Sequence, residues 1–300
     1  MMKTAILVNK QRAGIKDYIA LTKAYLSFAV MIPGALAYLL FAKEITLDFW
    51  LSITAIFLLA LGVSALNQFQ ERGLDALMPR TKNRPLVQGS ISEKGALGII
   101  VGLIGGASII EYYVLGFSGV LIFASVVVLY NMIYTPMKRT SAYAVFPGAI
   151  LGVIPTILCT MAANFSLLHP AFLVIAWFYF IWQIPHFWLL VLIYQDDYNK
   201  AKFPNMANVV GAQSLSHITY VWILLTIISA LMVVSFFIPK SIIIFTIVIG
   251  HSLFLAYKSF PLLQNDTYLN KKRCKKIFMQ LNLYTLAVVV FLVVDRWLIR

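Results

Sequence analysis

Asn67, Glu71 and Asp75 place three oxygen-bearing side chains at four-residue intervals. On an α-helix that spacing stacks them along one face over two turns. Carboxylate and amide oxygens in a row suit Mg2+, a hard cation that keeps several waters and is commonly completed by phosphate oxygens. The loop that follows, Met78-Pro79-Arg80-Thr81-Lys82-Asn83-Arg84-Pro85-Leu86, alternates three cations with neutral residues between two prolines. The prolines stiffen the loop and keep Arg80, Lys82 and Arg84 near the acidic ladder. A solvated helix end would explain the carboxylates alone, and an ordinary basic loop would explain the cations alone. Their adjacency points to a metal-bridged polyanion, with carboxylates on the metal and Arg and Lys on the free phosphate oxygens.

Two more stretches carry groups of the same kinds. Tyr130-Asn131-Met132-Ile133-Tyr134-Thr135-Pro136-Met137 runs into Lys138-Arg139, and Tyr194-Gln195 runs into Asp196-Asp197. A second acidic cluster on the same face would put metal on both sides of one diphosphate. Neighbouring helical residues point about 100° apart, so only one of the two aspartates would face such a site; ordinary loop charge is the alternative reading of the pair.

The elements that must position these groups are membrane helices. Hydrophobic residues make up 61% of the 300 and charged ones only 12%, too apolar a balance for a water-soluble fold. Spans of roughly 20 apolar residues are expected at 24–42, 49–68, 95–110, 116–134, 142–161, 171–194, 216–237, 241–260 and 277–298. With the N-terminus cytoplasmic, these nine leave only Lys43, Lys240, Arg296 and Arg300 outside, and the other 20 of the 24 Lys and Arg inside. That asymmetry predicts an outside C-terminus and a chemically active cytoplasmic face. The net charge of +13 lies in short clusters between apolar runs, a membrane-protein pattern that excludes nucleic acid as a partner. Residues 1–23 contain five cations and no apolar core, so they form a cytoplasmic segment and not a cleaved signal. Residues 24–300 form one membrane domain, and a bacterial plasma membrane is its simplest home. Cys159 and Cys274 have neither metal-site spacing nor a disulfide pattern.

The chain resembles the UbiA superfamily of intramembrane prenyltransferases, and within it the branch that farnesylates haem. The match begins at Asp17-Tyr18 and Leu21-Thr22-Lys23 and reaches the final span. Its most specific part is the 67–75 ladder with Arg80-Thr81-Lys82-Asn83-Arg84-Pro85-Leu86, followed by Tyr134-Thr135 and Lys138-Arg139. Trp182-Gln183-Ile184-Pro185-His186-Phe187 with Asp196-Asp197-Tyr198 carries the haem-branch signal. The resemblance implies an all-α polytopic fold of nine helices around a central cavity, Mg2+ dependence, farnesyl diphosphate as donor and protoheme IX as acceptor. A haem A synthase would act downstream.

On that footing Asn67, Glu71, Asp75, Asp196 and Asp197 would hold metal. Arg80, Lys82, Arg84, Lys138 and Arg139 would bind diphosphate. Tyr130, Tyr134 and Tyr194 would wall an allylic cation, and His186 would meet the haem iron, a propionate or a proton, or serve as a structural histidine. Three departures from the family pattern stand out. Lys200 follows Asp196 at the fourth position where many members repeat Asp, Ala24-Tyr25 replaces Pro-Arg, and Ile154-Pro155-Thr156-Ile157-Leu158-Cys159 replaces a Pro-Pro and Gly-Trp segment. The last is expected to bear on the acceptor. An aromatic or quinone-precursor acceptor is the alternative within the superfamily. Transport of an anionic solute is the alternative outside it, disfavoured because the charges lie at the membrane edge and not its midplane.

Overall fold

A computed structural model describes residues 13–200, 203–237, 239, 241–264 and 270–298. Lys3, Lys10, Arg12, Lys202, Lys240 and Arg300, which enter the charge asymmetry, lie outside them. All regular structure among the described residues is helical: α1 Ile15–Thr22, α2 Ala24–Phe41, α3 Leu47–Asp75, α4 Pro85–Gln88, α5 Glu93–Val127, α6 Thr135–Thr140, α7 Val145–Ala162, α8 Pro170–Ile193, α9 Gln195–Lys200, α10 Met206–Val210, α11 Ala212–Phe237, α12 Ile242–Ser259 and α13 Lys271–Leu298. Short 3-10 turns cover Ala142–Ala144 and Phe260–Leu263, and a π-helical segment, Val128–Tyr134, joins α5 to α6. In hydrocarbon each backbone polar group must be satisfied within its own segment, which leaves helices as the economical solution for these apolar runs.

Among the described residues, eight helical stretches are long and apolar enough to cross a membrane, against nine expected. The difference lies in one stretch, Glu93–Thr140, which is 48 residues long. A straight helix of that length would reach about 70 Å, more than twice the hydrocarbon thickness. It is broken at Gly116, whose φ of 62° and ψ of −149° are not helical. A Cβ on Gly119 would lie 2.8 Å from Cγ of Glu111, whereas residues eight apart on a straight helix are about 12 Å apart. The chain therefore doubles back there. Counted as one element the stretch gives eight, and divided at Gly116 it gives the sequence pattern's third and fourth spans.

Helices α3 and α5 share the largest interface, followed by α8 with α11 and α2 with α7. The last helix returns to the first span: Trp297 Nε1 donates to the Leu39 carbonyl at 2.7 Å and Arg296 to the Ala42 carbonyl at 2.9 Å. One core gathers Phe178, Leu189, Ile223, Leu281 and Tyr284, and another Tyr38, Ile56, Phe123 and Leu158. Lipid tails are as apolar as these side chains, so close packing, more than burial, holds the spans together.

At 29 residues, α3 is about 44 Å long and overruns a hydrocarbon core of about 30 Å. Its last turns, which carry the oxygen ladder, therefore stand at the membrane edge. Before it, α1 lies against α3: Gln68 Nε2 donates to the Ala20 and Leu21 carbonyls at 2.6 and 2.9 Å. Leu21 is buried beside Ala65, Ile91 and Ala96.

Candidate active site

Asn67, Glu71 and Asp75 are all buried although they end a helix at the membrane edge. What encloses them is a set of cations from three separate segments. Arg84, in the loop after α3, pairs with Asp75. Lys138 of α6 donates to Glu71 at 2.8 Å, and Arg139 stands 3.7 Å from its other oxygen. Lys23 donates to Asn67 Oδ1 at 3.1 Å. Four cations face two carboxylates, an excess of two positive charges around the ladder. Burial, and then the like charges of Arg84 and Lys138, push the Lys23 ammonium down to about 8. The shift records chiefly the cost of enclosing an ammonium, with the neighbouring cations adding to it.

Backbone irregularity brings these groups together. Lys23 is in the left-handed region, φ 49° and ψ 47°, where α1 ends and α2 begins. The turn aims its side chain at α3 instead of along α2. The π-helical segment carries Tyr130, Asn131 and Tyr134; such wide turns recur at functional sites. Here Thr135 Oγ1 donates to the Tyr130 carbonyl at 2.8 Å and accepts from Asn67 Nδ2 at 3.0 Å. Asn131 Nδ2 donates to Gln70 Oε1 at 3.2 Å, while Gln70 Nε2 donates to the Asn131 carbonyl at 3.1 Å. These amide contacts lock the wide turn to α3 and deliver Lys138 and Arg139 to Glu71.

Aromatic rings line one side. Tyr130 and Tyr134 stack with centroids 5.7 Å apart, and Lys138 Nζ sits 5.6 Å from the Tyr134 ring centre. Gly148 of α7 lies against both Tyr134 and Phe187: a methyl there would meet their rings at 3.3 and 3.2 Å. His186 is flanked by Trp182 and Phe278, with centroids 5.1 and 4.8 Å away, and shares a 2.8 Å hydrogen bond with Asn282.

Other residues singled out in the sequence lie further out. Arg80 and Lys82 are exposed; Arg80 stands 5.6 Å over the Tyr194 ring. Asp196 is exposed and pairs with Lys271 at the start of α13, while Asp197 is half-buried. Among the described residues no three His, Cys, Asp or Glu side chains converge as a self-sufficient metal site. The ladder offers an amide and two carboxylates, and the buried Glu71 Oε1 lacks a hydrogen-bond partner. Such hard oxygen donors fit Mg2+ if phosphate oxygens and water complete the shell.

Lys23, Thr135, Gln70 and Asn282 are contributors that the motif spacing does not point to. Asn282 had a readable signal, a polar amide within a largely apolar span. Lys23 had only its place at the start of the family match, because its approach to Asn67 depends on a left-handed backbone turn. In the segment 154–159, Ile154, Leu158 and Cys159 pack in the core with Tyr38 and Ile56, and Tyr130 of the aromatic wall packs against that same core.

The chain is thus a polytopic helical bundle with a cation-wrapped oxygen ladder at its edge. The UbiA prenyltransferase family model matches residues 28–290, and the chain belongs to that family. Relatives named protoheme IX farnesyltransferase include one from Oleidesulfovibrio alaskensis, 35% identical over 58% of this chain and 62% of the relative. Another, from Nitratidesulfovibrio vulgaris, is 33% identical over 69% and 73%. A third, from Afipia carboxidovorans, is 35% identical over 72% and 70%. The match thus spans somewhat under two thirds of the first relative's length. Among solved structures, one described for digeranylgeranylglyceryl phosphate synthase superposes with a TM-score of 0.75 at 14% identity, covering 94% of this chain and 98% of that one. A UbiA homolog from Archaeoglobus fulgidus bound to GPP and Mg2+ superposes at 0.68 and 16% identity, covering 91% and 99%. At those identities the two structures establish the fold alone.

Proposed function

We propose that this chain transfers a farnesyl group from farnesyl diphosphate to a vinyl group of protoheme IX, forming haem O. The observation that carries the donor half is the buried ladder with its excess of cations. Each carboxylate is already matched by Arg or Lys, so a lone divalent cation gains little there. A diphosphate arriving with the metal would take over the cations and bring negative charge to a site that has positive charge in excess. The acceptor half rests on the farnesyltransferase relatives and on the span that contains His186.

Asn67, Glu71 and Asp75 would hold Mg2+, with Asp196 or Asp197 approaching from the other side of the diphosphate. Bound there, Mg2+ would supply Lewis-acid stabilisation of the leaving group. Lys23, Arg84, Lys138 and Arg139 would bind the remaining phosphate oxygens, with Arg80 and Lys82 at the mouth. As the C1–O bond breaks, both electrons leave with the diphosphate and an allylic cation remains. The stacked Tyr130 and Tyr134 rings, with Tyr194 beyond, would face that cation and keep water from it. The terminal carbon of the haem vinyl group then bonds to C1. Water adds at the adjacent carbon and loses a proton, leaving the hydroxyethylfarnesyl side chain.

The reading places the enzyme in a bacterial plasma membrane as one domain, 24–300, behind the segment 1–23, with the site on the cytoplasmic face. A haem A synthase would consume the product. The test is purified protein with haem B, farnesyl diphosphate and Mg2+, followed by mass analysis of the haem. The expected result is a heavier, more hydrophobic haem that forms only with metal present. Unchanged haem B alongside prenylation of an aromatic acid would keep the donor site and overturn the acceptor.

A further inference from the structure

The imidazole of His186 is held in one tautomer. Asn282 Nδ2 donates to the Phe278 carbonyl at 2.6 Å. A backbone carbonyl can only accept, so the amide is turned with its Oδ1 toward the ring, 2.8 Å from His186 Nδ1. Oδ1 can only accept in its turn, which assigns the proton to Nδ1. Nε2 is then a bare lone pair. It takes no hydrogen bond among the described residues, and the side chain is partly exposed. Around the ring stand Trp182, Phe187 and Phe278, apolar and flat.

That arrangement discriminates among the groups a porphyrin presents. A propionate is an anion and an acceptor, and an unprotonated Nε2 offers it repulsion and no proton. A metal centre wants this lone pair. An imidazole whose far nitrogen donates to a fixed oxygen is the usual form of a metal-binding histidine, because the second bond sets both tautomer and ring orientation. The position also suits an acceptor that must reach the donor. Phe187, next in sequence, meets Tyr134 across Gly148, and Tyr134 lies under Lys138, which bonds Glu71.

We propose that His186 Nε2 ligates the iron of the porphyrin acceptor, with Asn282 as the positioning residue that fixes the imidazole. This rests on the haem reading above. It makes recognition of the acceptor depend on the metal at the porphyrin centre as well as on the ring.

Absorption and electron paramagnetic resonance spectra of haem B titrated into the detergent-purified protein test it. Wild type should give a histidine-ligated spectrum, His186→Ala should lose it, and added imidazole should restore it. Asn282→Ala should weaken haem binding by roughly 10- to 100-fold, the usual effect of removing a second partner of a ligand. Wild type should bind iron-free protoporphyrin IX about tenfold or more weakly than haem B, a comparison that needs no variant to fold. An unaltered haem spectrum and affinity in His186→Ala, or equal affinity for the iron-free ring, would overturn the iron ligand while leaving haem farnesylation standing. Wild type that neither binds nor modifies haem B would overturn the functional reading itself.

Discussion

Glu71 and Asp75 differ from ordinary membrane-edge carboxylates in being enclosed, with cations as the enclosure. Removing either acid should cost more than catalysis by one group, because it also leaves a basic pocket with nothing to organise the metal. Asp75→Ala is expected to abolish prenyl transfer while the protein remains folded in the membrane, since its side chain meets Arg84 and not the packed core. Lys23 bears on substrate binding instead. A charge-assisted hydrogen bond is worth about 1.5–3 kcal/mol, so Lys23→Met should lower kcat/KM for the diphosphate by roughly 10- to 100-fold. Steady-state kinetics on both variants check this. Wild-type kinetics in Lys23→Met would remove Lys23 from the site.

Among the elements, two irregular ones deliver the chemistry. The π-helical segment rotates Lys138 and Arg139 onto Glu71, and the left-handed turn at Lys23 brings an ammonium across to Asn67. Regular helices supply the frame, and α2 meets α7 closely enough to need glycine. A Cβ on Gly34 would fall 2.9 Å from the Pro155 carbonyl oxygen and 3.0 Å from Cys159 Sγ. The oxygen belongs to a backbone that cannot step aside. Gly34→Ala should therefore destabilise the protein by about 1–3 kcal/mol through overpacking. Gly98→Ala, on an exposed face of α5 with nothing within 4 Å, should be near neutral. Thermal denaturation in detergent compares them. Equal stability of the two variants would mean that α2 and α7 are not in contact as described.

For the whole molecule, the charge asymmetry predicts that every ladder cation lies on the cytoplasmic side of the membrane. With nine crossings and a cytoplasmic N-terminus, the chain should end outside. A reporter fused after Arg300 is expected to be active on the outer side only, and one inserted after Lys82 on the inner side only. Signal from the same side for both would leave the stretch Glu93–Thr140 crossing once and not turning at Gly116, contrary to the fold.

Local periodicity accounts for what the amino-acid sequence determined by itself. Long apolar runs dictate spanning helices because lipid leaves the backbone no other partner. The four-residue spacing aligns Asn67, Glu71 and Asp75 because an α-helix turns every 3.6 residues. Arg84 lies nine residues beyond Asp75, near enough for the loop to carry it back. What only the tertiary structure decided is which distant groups join them. Lys138 reaches Glu71 across 67 residues and Lys23 reaches Asn67 across 44. Asp196 instead turns to Lys271, 75 residues away, and Asn282 sets the proton on a histidine 96 residues before it. The spans are apolar around most of their circumference, so no polar stripe in the sequence marks which face meets which neighbour. The choice is made by shape, where Gly34 admits Pro155, Gly148 admits Phe187, and Gly116 turns the chain back.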